Sequence, residues 1–318
     1  MKMKGIDYSN TLLLISRKEL QDGSYASLIT EALKRLGATD SNSDSNSSTE
    51  TKLSILLLHN INRFNSIQRL LLEFYDYSRA QKLKLGISNV KVYVLYNENY
   101  IHLKDSYKFT AILKSVDCDA HSFENKWDVP VYQIPIDASS IHADHKIELV
   151  DDEGTSCEGR YKTVAVGGTF DHIHDGHKIL LTISGFLTRD HLIVGVTGKE
   201  LLKNKKYADF LEDFETRSES VHDFFNIVNP QLDYKIYEIN DVCGPTGTID
   251  DIDALVLSSE TVSGGEYVNN FRKEKGFREL IIEEVDIVGG GTKEDGWKDK
   301  LSSTYYRKLE YEKSHTQS

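Results

Sequence analysis

A short apolar strand that runs into a glycine turn and a pair of histidines constrains the fold of this chain most strongly. Val164–Val166 forms the apolar run, Gly167–Asp171 forms the turn, and His174–His177 forms the start of a predicted helix. Residues three apart share one face of a helix, so the two imidazoles point the same way. The first turn of a helix also offers free backbone N–H groups and the positive end of its dipole. The pattern therefore predicts a strand–turn–helix unit in which His174 and His177 face a nucleotide phosphate.

The size and charge of the chain restrict the class of protein. Its 318 residues are enough for two domains that each bury a core. The formal net charge of −12 argues against a nucleic-acid partner, because phosphate backbones are bound by clustered lysine and arginine. No apolar run approaches the roughly 20 residues of a membrane span. The three cysteines, Cys118, Cys157 and Cys243, lack metal-type spacing and favour a reducing compartment, so we expect a cytoplasmic protein.

Residues 1–136 are predicted to form an α/β domain of unassigned role. Aliphatic runs typical of buried parallel strands occur at Leu12–Ile15, Leu53–Leu58 and Val90–Leu95. Helices are predicted at Ser24–Leu36, with Ser24 as N-cap and Gly37 just past the end, and at Asn65–Leu83. The polar segment of about residues 39–51 cannot bury apolar surface, and we expect it to be a disordered insert.

Residues 137–160 are predicted to be a linker, and residues 161–318 a second α/β domain. Beyond the linker, strands are predicted at Thr163–Val166, Leu192–Val196, Tyr234–Ile239, Ala254–Leu257 and Glu279–Val288. Helices are predicted to start near Gly176, Leu211, Gly265 and Ser302. This alternation predicts a Rossmann-like, doubly wound parallel sheet with ligands at the carboxyl ends of its strands. The histidine pair directly follows the first of these strands, in agreement with that rule.

The residue types around the histidine pair are those that nucleotidyl transfer needs. When a nucleophile attacks an α-phosphate, negative charge builds on the phosphoryl oxygens and on the leaving pyrophosphate. Hydrogen-bond donors aimed at those oxygens lower the barrier, and His174 and His177 can supply them. Thr169 offers a hydroxyl in the turn, whereas Asp171 is as readily a brace of the turn. His172 lies outside the spacing and is predicted to be a surface or loop residue.

The run from Gly167 to His177 resembles the signature of the HxGH nucleotidyltransferases, a superfamily that includes cytidylyltransferases and adenylyltransferases. Lys205, within Asn204–Lys206, follows the second predicted strand, where that superfamily has a lysine that binds phosphates. Lys203 or Lys206 can replace Lys205 in this register. The resemblance implies a nucleotidyltransferase domain.

Two later segments narrow the resemblance to the eukaryotic phosphopantetheine adenylyltransferases. Ser258–Gly265, followed by Asn269 and Arg272, is similar to their SSET-x-x-GG-x-x-x-N block, and Ser302–Arg307 is similar to their SST-x-x-R motif. The resemblance covers about residues 162–310. It implies transfer of AMP from ATP to 4′-phosphopantetheine, which gives dephospho-CoA and pyrophosphate in coenzyme A synthesis.

The resemblance also implies roles for single residues. His174, His177 and Lys205 would carry catalysis. The residues that would bind ATP are Gly167, Gly168, Thr169, Phe170, Gly176, Gly264, Gly265, Asn269, Ser302, Ser303, Thr304 and Arg307. The acceptor would be bound by Thr169, Lys205 and Arg272. Mg²⁺ is expected to arrive with ATP, because it neutralises triphosphate charge, and no dedicated carboxylate ligand is identified.

Several of these residues have simpler explanations that the sequence leaves open. Ser302 is also a good helix cap, and Gly264–Gly265 reads equally well as a plain turn. Asn269 and Arg272 are as compatible with the surface of a helix as with a ligand site. Two of the three lysines between positions 203 and 206 are expected to belong to a solvated loop.

Two other functions remain as alternatives. A cytidylyltransferase acting on a phosphorylated alcohol is disfavoured, because those enzymes carry an RTE-x-I/V-S/T segment where this chain has Lys300–Thr304. A non-catalytic nucleotide-binding scaffold is disfavoured by the intact histidines and lysine. The sequence has no GxxxxGK(S/T) motif, so a dephospho-CoA kinase is expected on a separate polypeptide. The N-terminal half is expected to regulate the enzyme or to dock it to other enzymes of coenzyme A synthesis, and the sequence does not decide between the two.

Overall fold

The computed structural model describes residues 6–38, 50–97, 103, 107–119, 127–136, 145–148, 156–286 and 302–316. The chain divides into two compact units, one of residues 1–61 and 69–153 and the other of residues 62–68 and 154–318. One described part of the predicted linker, residues 145–148, packs on the first unit, and the other, residues 156–160, packs on the second. The amide of Ile147 bonds to the carbonyl of Leu20 in the first unit, and that of Gly159 bonds to the carbonyl of Phe186 in the second. The linker boundaries themselves stay a prediction.

The first unit is built on a five-stranded parallel sheet. Its strands are β1 Asn10–Ile15, β2 Thr51–Leu57, β3 Val90–Leu95, β4 Ala111–Ser115 and β5 Val131–Ile134, in the spatial order β3-β2-β1-β4-β5. Of the predicted insert, residues 39–49 lie outside the described residues. Thr51 belongs to β2 and pairs with Val90, so the insert ends earlier than predicted.

Three described helices accompany this sheet: α1 Arg17–Asp22, α2 Tyr25–Gly37 and α3 Phe64–Leu85. Ser24 occupies the N-cap position of α2, as predicted, but its hydroxyl makes no capping hydrogen bond. Gly37 lies within α2 and not beyond it. A Cβ on Gly37 would lie 2.7 Å from the side chain of Ile87, so close packing explains the glycine. None of the described helices, including the 22-residue α3, is long and apolar enough to cross a membrane.

The second unit has the same strand order in a separate five-stranded parallel sheet. Its strands are β6 Tyr161–Gly168, β7 Thr188–Thr197, β8 Tyr234–Ile239, β9 Ala254–Ser258 and β10 Ile281–Val285, in the order β10-β9-β6-β7-β8. Val164–Val166 pairs with β7 on one side and with β9 on the other, and is buried. The predicted doubly wound parallel sheet is confirmed. Of the strand predicted at 279–288, residues 287 and 288 lie outside the described residues.

The helices of the second unit are α4 Asp175–Leu187, α5 Phe214–Val228, α6 Ser263–Glu274 and α7 Ser303–Thr316. α5 begins three residues later than predicted, because the side chain of Asp213 accepts a hydrogen bond from the amide of Thr216 and caps the helix there. The strand order reverses between β6 and β9. In open α/β sheets a crevice forms at this reversal, beyond the carboxyl ends of the strands. The turn after β6 therefore opens into the expected ligand site.

Candidate active site

The chain leaves β6 through a turn that needs glycine and unusual backbone angles. A Cβ on Gly168 would lie only 3.0 Å from the ring of Phe170. Phe170 and His172 have left-handed φ angles of 52° and 47°, which cost free energy that surrounding contacts must offset. Phe170 is fully buried, and its ring centroid lies 5.4 Å from that of His177. The side chain of Phe170 therefore packs beneath the histidine pair, and its burial gives no support to the predicted contact with ATP.

His174 and His177 come together at the start of α4. His174 is the N-cap residue, and the two ring centroids are 3.9 Å apart with the rings tilted by 23°. Burial lowers the pKa of His174 to about 4 and holds the pKa of His177 well below its usual range. Both imidazoles are therefore neutral at pH 7. Their Nδ1 atoms are buried and have no hydrogen-bond partner among the described residues, which is uncommon in a folded protein and leaves them available to a ligand.

Asp171 holds the turn after β6 in place through contacts with three other residues. Its carboxylate forms a buried ion pair with Arg307 of α7, lies 3.0 Å from Nδ1 of His172, and accepts a 2.9 Å hydrogen bond from the amide of Glu212. Burial raises the pKa of Asp171, but the contacts with His172, Glu212 and Arg307 outweigh burial and hold the pKa below its usual value. Asp171 is thus a charged brace of the turn, the simpler of the two roles that the sequence left open.

Arg307 does not face the cleft as the sequence predicted. Its side chain is 1% exposed and is bound to Asp171, to the carbonyl of Lys206 at 2.9 Å and to the hydroxyl of Thr304 at 3.1 Å. Every nitrogen of the guanidinium therefore has a protein partner. These contacts use three of the five N–H donors of the guanidinium, and it is the burial of the side chain that separates it from the cleft. The predicted contact between Arg307 and the ATP phosphates stays a prediction.

α7 nevertheless brings the predicted serine–threonine motif to the histidines. The hydroxyl of Ser302 accepts a 3.3 Å hydrogen bond from the amide of Tyr305, so Ser302 does cap this helix. Tyr306 lies nearly parallel to His174, with ring centroids 6.2 Å apart and an angle of 13°. The first turn of α7, with Ser303 and Thr304, is therefore beside the histidine pair. ATP binding by Ser302, Ser303 and Thr304 stays a prediction.

Arg217 of α5 is a second buried arginine that supports the turn. It is 1% exposed, donates to the carbonyl of Thr169 at 2.7 Å, and donates to the carbonyl of Glu212 at 3.0 Å. The first of these bonds fixes the backbone where Thr169 enters the cleft. Arg217 is not among the predicted site residues, because its role depends on a contact with a residue 48 positions away.

Lys205 lies in an exposed segment between β7 and α5. Its neighbour Lys206 is attached to α7 through its backbone carbonyl, and Lys203 pairs with Glu200. The side chain of Lys205 is exposed to solvent, as a phosphate-binding lysine of an open cleft would be. Its catalytic role stays a prediction.

The residues predicted on α6 divide into two groups. Gly264 lines the cleft, whereas a Cβ on Gly265 would lie 3.0 Å from Ile282, so Gly265 serves packing. Asn269 exchanges two hydrogen bonds with the backbone of Leu280, at 3.0 and 2.8 Å. ATP contacts by Gly265 and Asn269 are therefore not supported.

Arg272 is fully buried away from the cleft. Its guanidinium donates to the backbone carbonyls of Arg278, Thr246, Ile249 and Asp250. Three of these bonds tie α6 to the segment before β9, and the bond to Arg278 ties it to the segment before β10. The acceptor-binding role predicted for Arg272 is not supported, because its nitrogens are taken by carbonyl groups.

A cavity of about 330 Å³ opens at the carboxyl ends of β6, β7 and β9. Its polar lining includes Thr169, Thr197 and Thr261, together with the backbone of Gly167 and Gly168. Its apolar lining consists mainly of Ile239, Val242, Pro245, Leu255, Leu257 and Val268. The size and the mixture of apolar walls with a few polar groups are typical of a small-molecule site.

Comparisons with known proteins identify relatives of this domain and of the longer chain. Residues 165–309 match the family model described as cytidylyltransferase-like. A phosphopantetheine adenylyltransferase from Saccharomyces cerevisiae is 37% identical over 260 residues, which cover 82% of this chain and 83% of the yeast protein. One from Thermococcus gammatolerans is 38% identical over 128 residues, which cover 40% of this chain and 79% of the archaeal protein. An uncharacterised protein from Schizosaccharomyces pombe is 42% identical over 124 residues, which cover 39% of each chain.

Proposed function

Because this chain belongs to the phosphopantetheine adenylyltransferase family, we propose that it transfers AMP from ATP to 4′-phosphopantetheine in coenzyme A biosynthesis. An oxygen of the acceptor's phosphate attacks the α-phosphorus of ATP. The bond between the α-phosphorus and the bridging oxygen breaks, and pyrophosphate leaves with the electron pair. The products are dephospho-CoA and pyrophosphate.

The observation that carries this proposal is the neutral, stacked pair of His174 and His177 at the strand-order reversal. Two imidazolium ions would repel each other at a ring separation of 3.9 Å, whereas two neutral rings stack and each retains one N–H donor. Negative charge grows on the phosphoryl oxygens during transfer, and fixed donors in a buried cleft stabilise it without reorganisation. The acceptor phosphate is already ionised, so no general base is required.

The remaining charge on the triphosphate needs other partners. We assign Ser302–Thr304 at the start of α7 to the β- and γ-phosphates, since hydroxyls and free backbone N–H groups meet there. We assign the exposed ammonium of Lys205 to the transferring phosphate and the acceptor phosphate. Mg²⁺ enters as part of the ATP substrate, because Asp171 is already neutralised by Arg307 and His172 and does not fit a dedicated metal site.

The cavity beside Thr169 fits the acceptor. The pantetheine arm of the acceptor is long and uncharged, and the cavity offers mainly aliphatic walls with hydroxyl groups at intervals. The cavity lies at the carboxyl end of β6, and β6 leads directly into the turn that precedes the histidines. Thr169 stays the acceptor-binding residue that the sequence predicts.

A pyrophosphate-release assay tests the function. ATP or CTP is offered with 4′-phosphopantetheine or glycerol 3-phosphate to the full chain in the presence of Mg²⁺. We expect release only with ATP and 4′-phosphopantetheine. Release with CTP and glycerol 3-phosphate would establish a cytidylyltransferase instead, and ATP binding without release in any combination would establish a scaffold.

Two histidine variants separate the site from general effects of substitution. We expect His177→Ala to lower turnover by at least about a hundredfold, the size of a lost transition-state donor. The matched control is His191→Ala, because His191 is exposed on β7 and pairs with Asp233 at 2.6 Å, away from the cleft. Equal turnover of the two variants would contradict the assignment of the histidine pair.

We also propose that the enzyme works in the cytoplasm. Cys118, Cys157 and Cys243 are all free thiols in the structure, and unpaired cysteines are typical of a reducing compartment. Fractionation of cells with an antibody against the chain tests this, and enrichment in a membrane or organelle fraction would contradict it.

A further inference from the structure

His172 joins three parts of the second unit, although the sequence predicts only a surface or loop residue. Its Nδ1 lies 3.0 Å from Oδ1 of Asp171, its neighbour in the turn after β6. Its Nε2 lies 3.3 Å from Oε2 of Glu310, in the second turn of α7. Its backbone N–H donates to Oε2 of Glu212, just before α5, over 2.6 Å. The imidazole is 13% exposed and Asp171 is fully buried, whereas the side chain of Glu310 is half-exposed.

The face of α7 that carries Glu310 also lies against His174. Tyr306 precedes Glu310 by one helical turn, and its ring is nearly parallel to both His172 and His174, at centroid distances of 6.4 and 6.2 Å. Ser302–Thr304 lies at the beginning of the same helix. A tilt of α7 would therefore shift Ser302, Ser303 and Thr304 relative to His174.

The groups facing His172 from each neighbouring element are mainly acidic. Asp171 comes from the turn itself, Glu212 from the segment before α5, and Glu310 from α7. His174 and Tyr306 also lie near the imidazole. Arg217 of α5 and Arg307 of α7 are the cations that act on Asp171. The contact with Asp171 outweighs burial and, with Glu212 and Glu310, raises the pKa of His172 to about 9. His172 is therefore a cation at neutral pH, and its contact with Glu310 is an ion pair.

A metal ion is a weaker explanation for this cluster. Asp171, His172 and Glu212 do offer ligand atoms within 4.8 Å of one another. A divalent cation there would have to displace the proton of His172 and would lie close to the guanidinium of Arg307, which already neutralises Asp171. Ion pairing within the protein accounts for all of these contacts without a metal.

We propose that His172 is a positioning residue for adenylyl transfer, because its imidazole bridges Asp171 and Glu310 and so holds α7 where Ser302–Thr304 meet the triphosphate. This inference rests on the function proposed above. His172 acts through α7 and does not touch the substrate. Its loss therefore weakens ATP binding more than it slows the chemical step.

The first test needs no substrate and so stands apart from the proposed function. Amide hydrogen exchange is measured on the full chain for wild type, His172→Ala, Glu310→Gln and the control His191→Ala. We expect faster exchange in residues 303–316 of the first two variants, with β6 and β7 unchanged. Wild-type exchange rates in α7 of His172→Ala would overturn the inference, even if the enzyme proves to be an adenylyltransferase.

The second test is kinetic. For His172→Ala we expect the KM for ATP to rise by roughly fivefold, the size of one partly exposed ion pair of about 1 kcal/mol, with a smaller change in kcat. His172→Arg keeps the positive charge, so it should restore the KM near pH 7. We expect the KM of wild type to rise as the pH passes about 9, where His172 loses its charge, and this rise should be absent from His172→Arg.

The outcomes distinguish failure of the inference from failure of the function. Faster exchange in α7 of His172→Ala together with an inactive wild type would refute the adenylyltransferase and with it the positioning role, while the contact to α7 would stand. An active wild type with unchanged KM in His172→Ala would overturn the positioning role alone. A His172→Arg variant that is folded but no better than His172→Ala would show that charge at this position does not hold the helix.

Discussion

Replacing Arg307 by alanine should destabilise the second unit by about 3–4 kcal/mol, the lower part of the range for breaking a buried ion pair. Arg307 and Asp171 are 1% and 0% exposed, so the substitution leaves a carboxylate buried without its guanidinium. It also removes the bonds to the carbonyl of Lys206 and to Thr304. His172 still faces Asp171 after the change, and this remaining cation keeps the loss at the lower end.

Urea unfolding of the full chain, followed by circular dichroism, measures this loss. The transition of the second unit is the one that ATP shifts to higher urea, because a ligand stabilises the unit that binds it. With a slope of about 2 kcal/mol per molar urea, a loss of about 3 kcal/mol lowers the midpoint by about 1.5 M. The matched control is Lys308→Ala on the same helix. Lys308 is half-exposed and pairs with Glu312 at 3.6 Å, so we expect a loss below about 0.5 kcal/mol.

One result would refute the reasoning. If Arg307→Ala unfolded within about 1 kcal/mol of wild type while its KM for ATP rose more than about tenfold, the guanidinium would bind phosphate and not Asp171. The double variant Asp171→Asn/Arg307→Met sharpens the comparison. It should be more stable than the sum of the two single losses implies, because removal of both charges leaves neither one buried alone.

Gly168→Ala should lower both the melting temperature and the turnover, because the added Cβ would lie 3.0 Å from the ring of Phe170; an unchanged melting temperature would contradict this. Acid should destabilise the second unit as the pH falls from about 6.5 toward 4, since the folded pKa of His174 is about 4 and the unfolded chain takes up the proton first. The contribution of neutral His174 to the free energy of unfolding is fully present above pH 6.5, and about 3 kcal/mol of it is lost by pH 4. If a His174→Gln variant kept the pH profile of wild type, protonation of His174 would not be the cause of the acid destabilisation. Arg272→Met should lower the urea midpoint but leave the KM for 4′-phosphopantetheine unchanged, because its buried guanidinium binds four backbone carbonyls and lies 3.7 Å from the carboxylate of Asp250; a higher KM at unchanged stability would be evidence for an acceptor contact.

Local sequence patterns predicted the second sheet well because its strands are marked by aliphatic runs. Tyr234–Ile239 was predicted to the residue, and the central Thr163–Val166 lies within the longer β6. β4 and β5 of the first unit were not predicted. Their sequences, AILKS and VYQI, are short and partly polar. Lys114 and Ser115 are buried by neighbouring elements, and the local sequence pattern does not predict that burial.

The candidate site shows the same division between local and distant information. The spacing of His174 and His177 on one helix face is a local property, so the sequence could place them together. Arg307 and Asp171 are 136 residues apart, and a basic residue in a phosphate-binding motif looks the same whether it faces a ligand or a buried carboxylate. Arg272 likewise matched the pattern of a helix surface residue, and only its complete burial reveals its four carbonyl partners.

The ion pair between Asp171 and Arg307 also makes the turn after β6 depend on a residue that is synthesised 136 positions later. The ribosome makes Asp171 and the histidines long before α7, and domains generally fold as units during synthesis. Until α7 docks, the carboxylate of Asp171 lacks the guanidinium of Arg307, and the carbonyl of Lys206 lacks its donor. A chain that terminated before residue 302 would carry both histidines but no helix to complete the second unit. Such a chain would be destabilised and open to proteases, so the turn that carries the histidines becomes stable only after α7 has been synthesised.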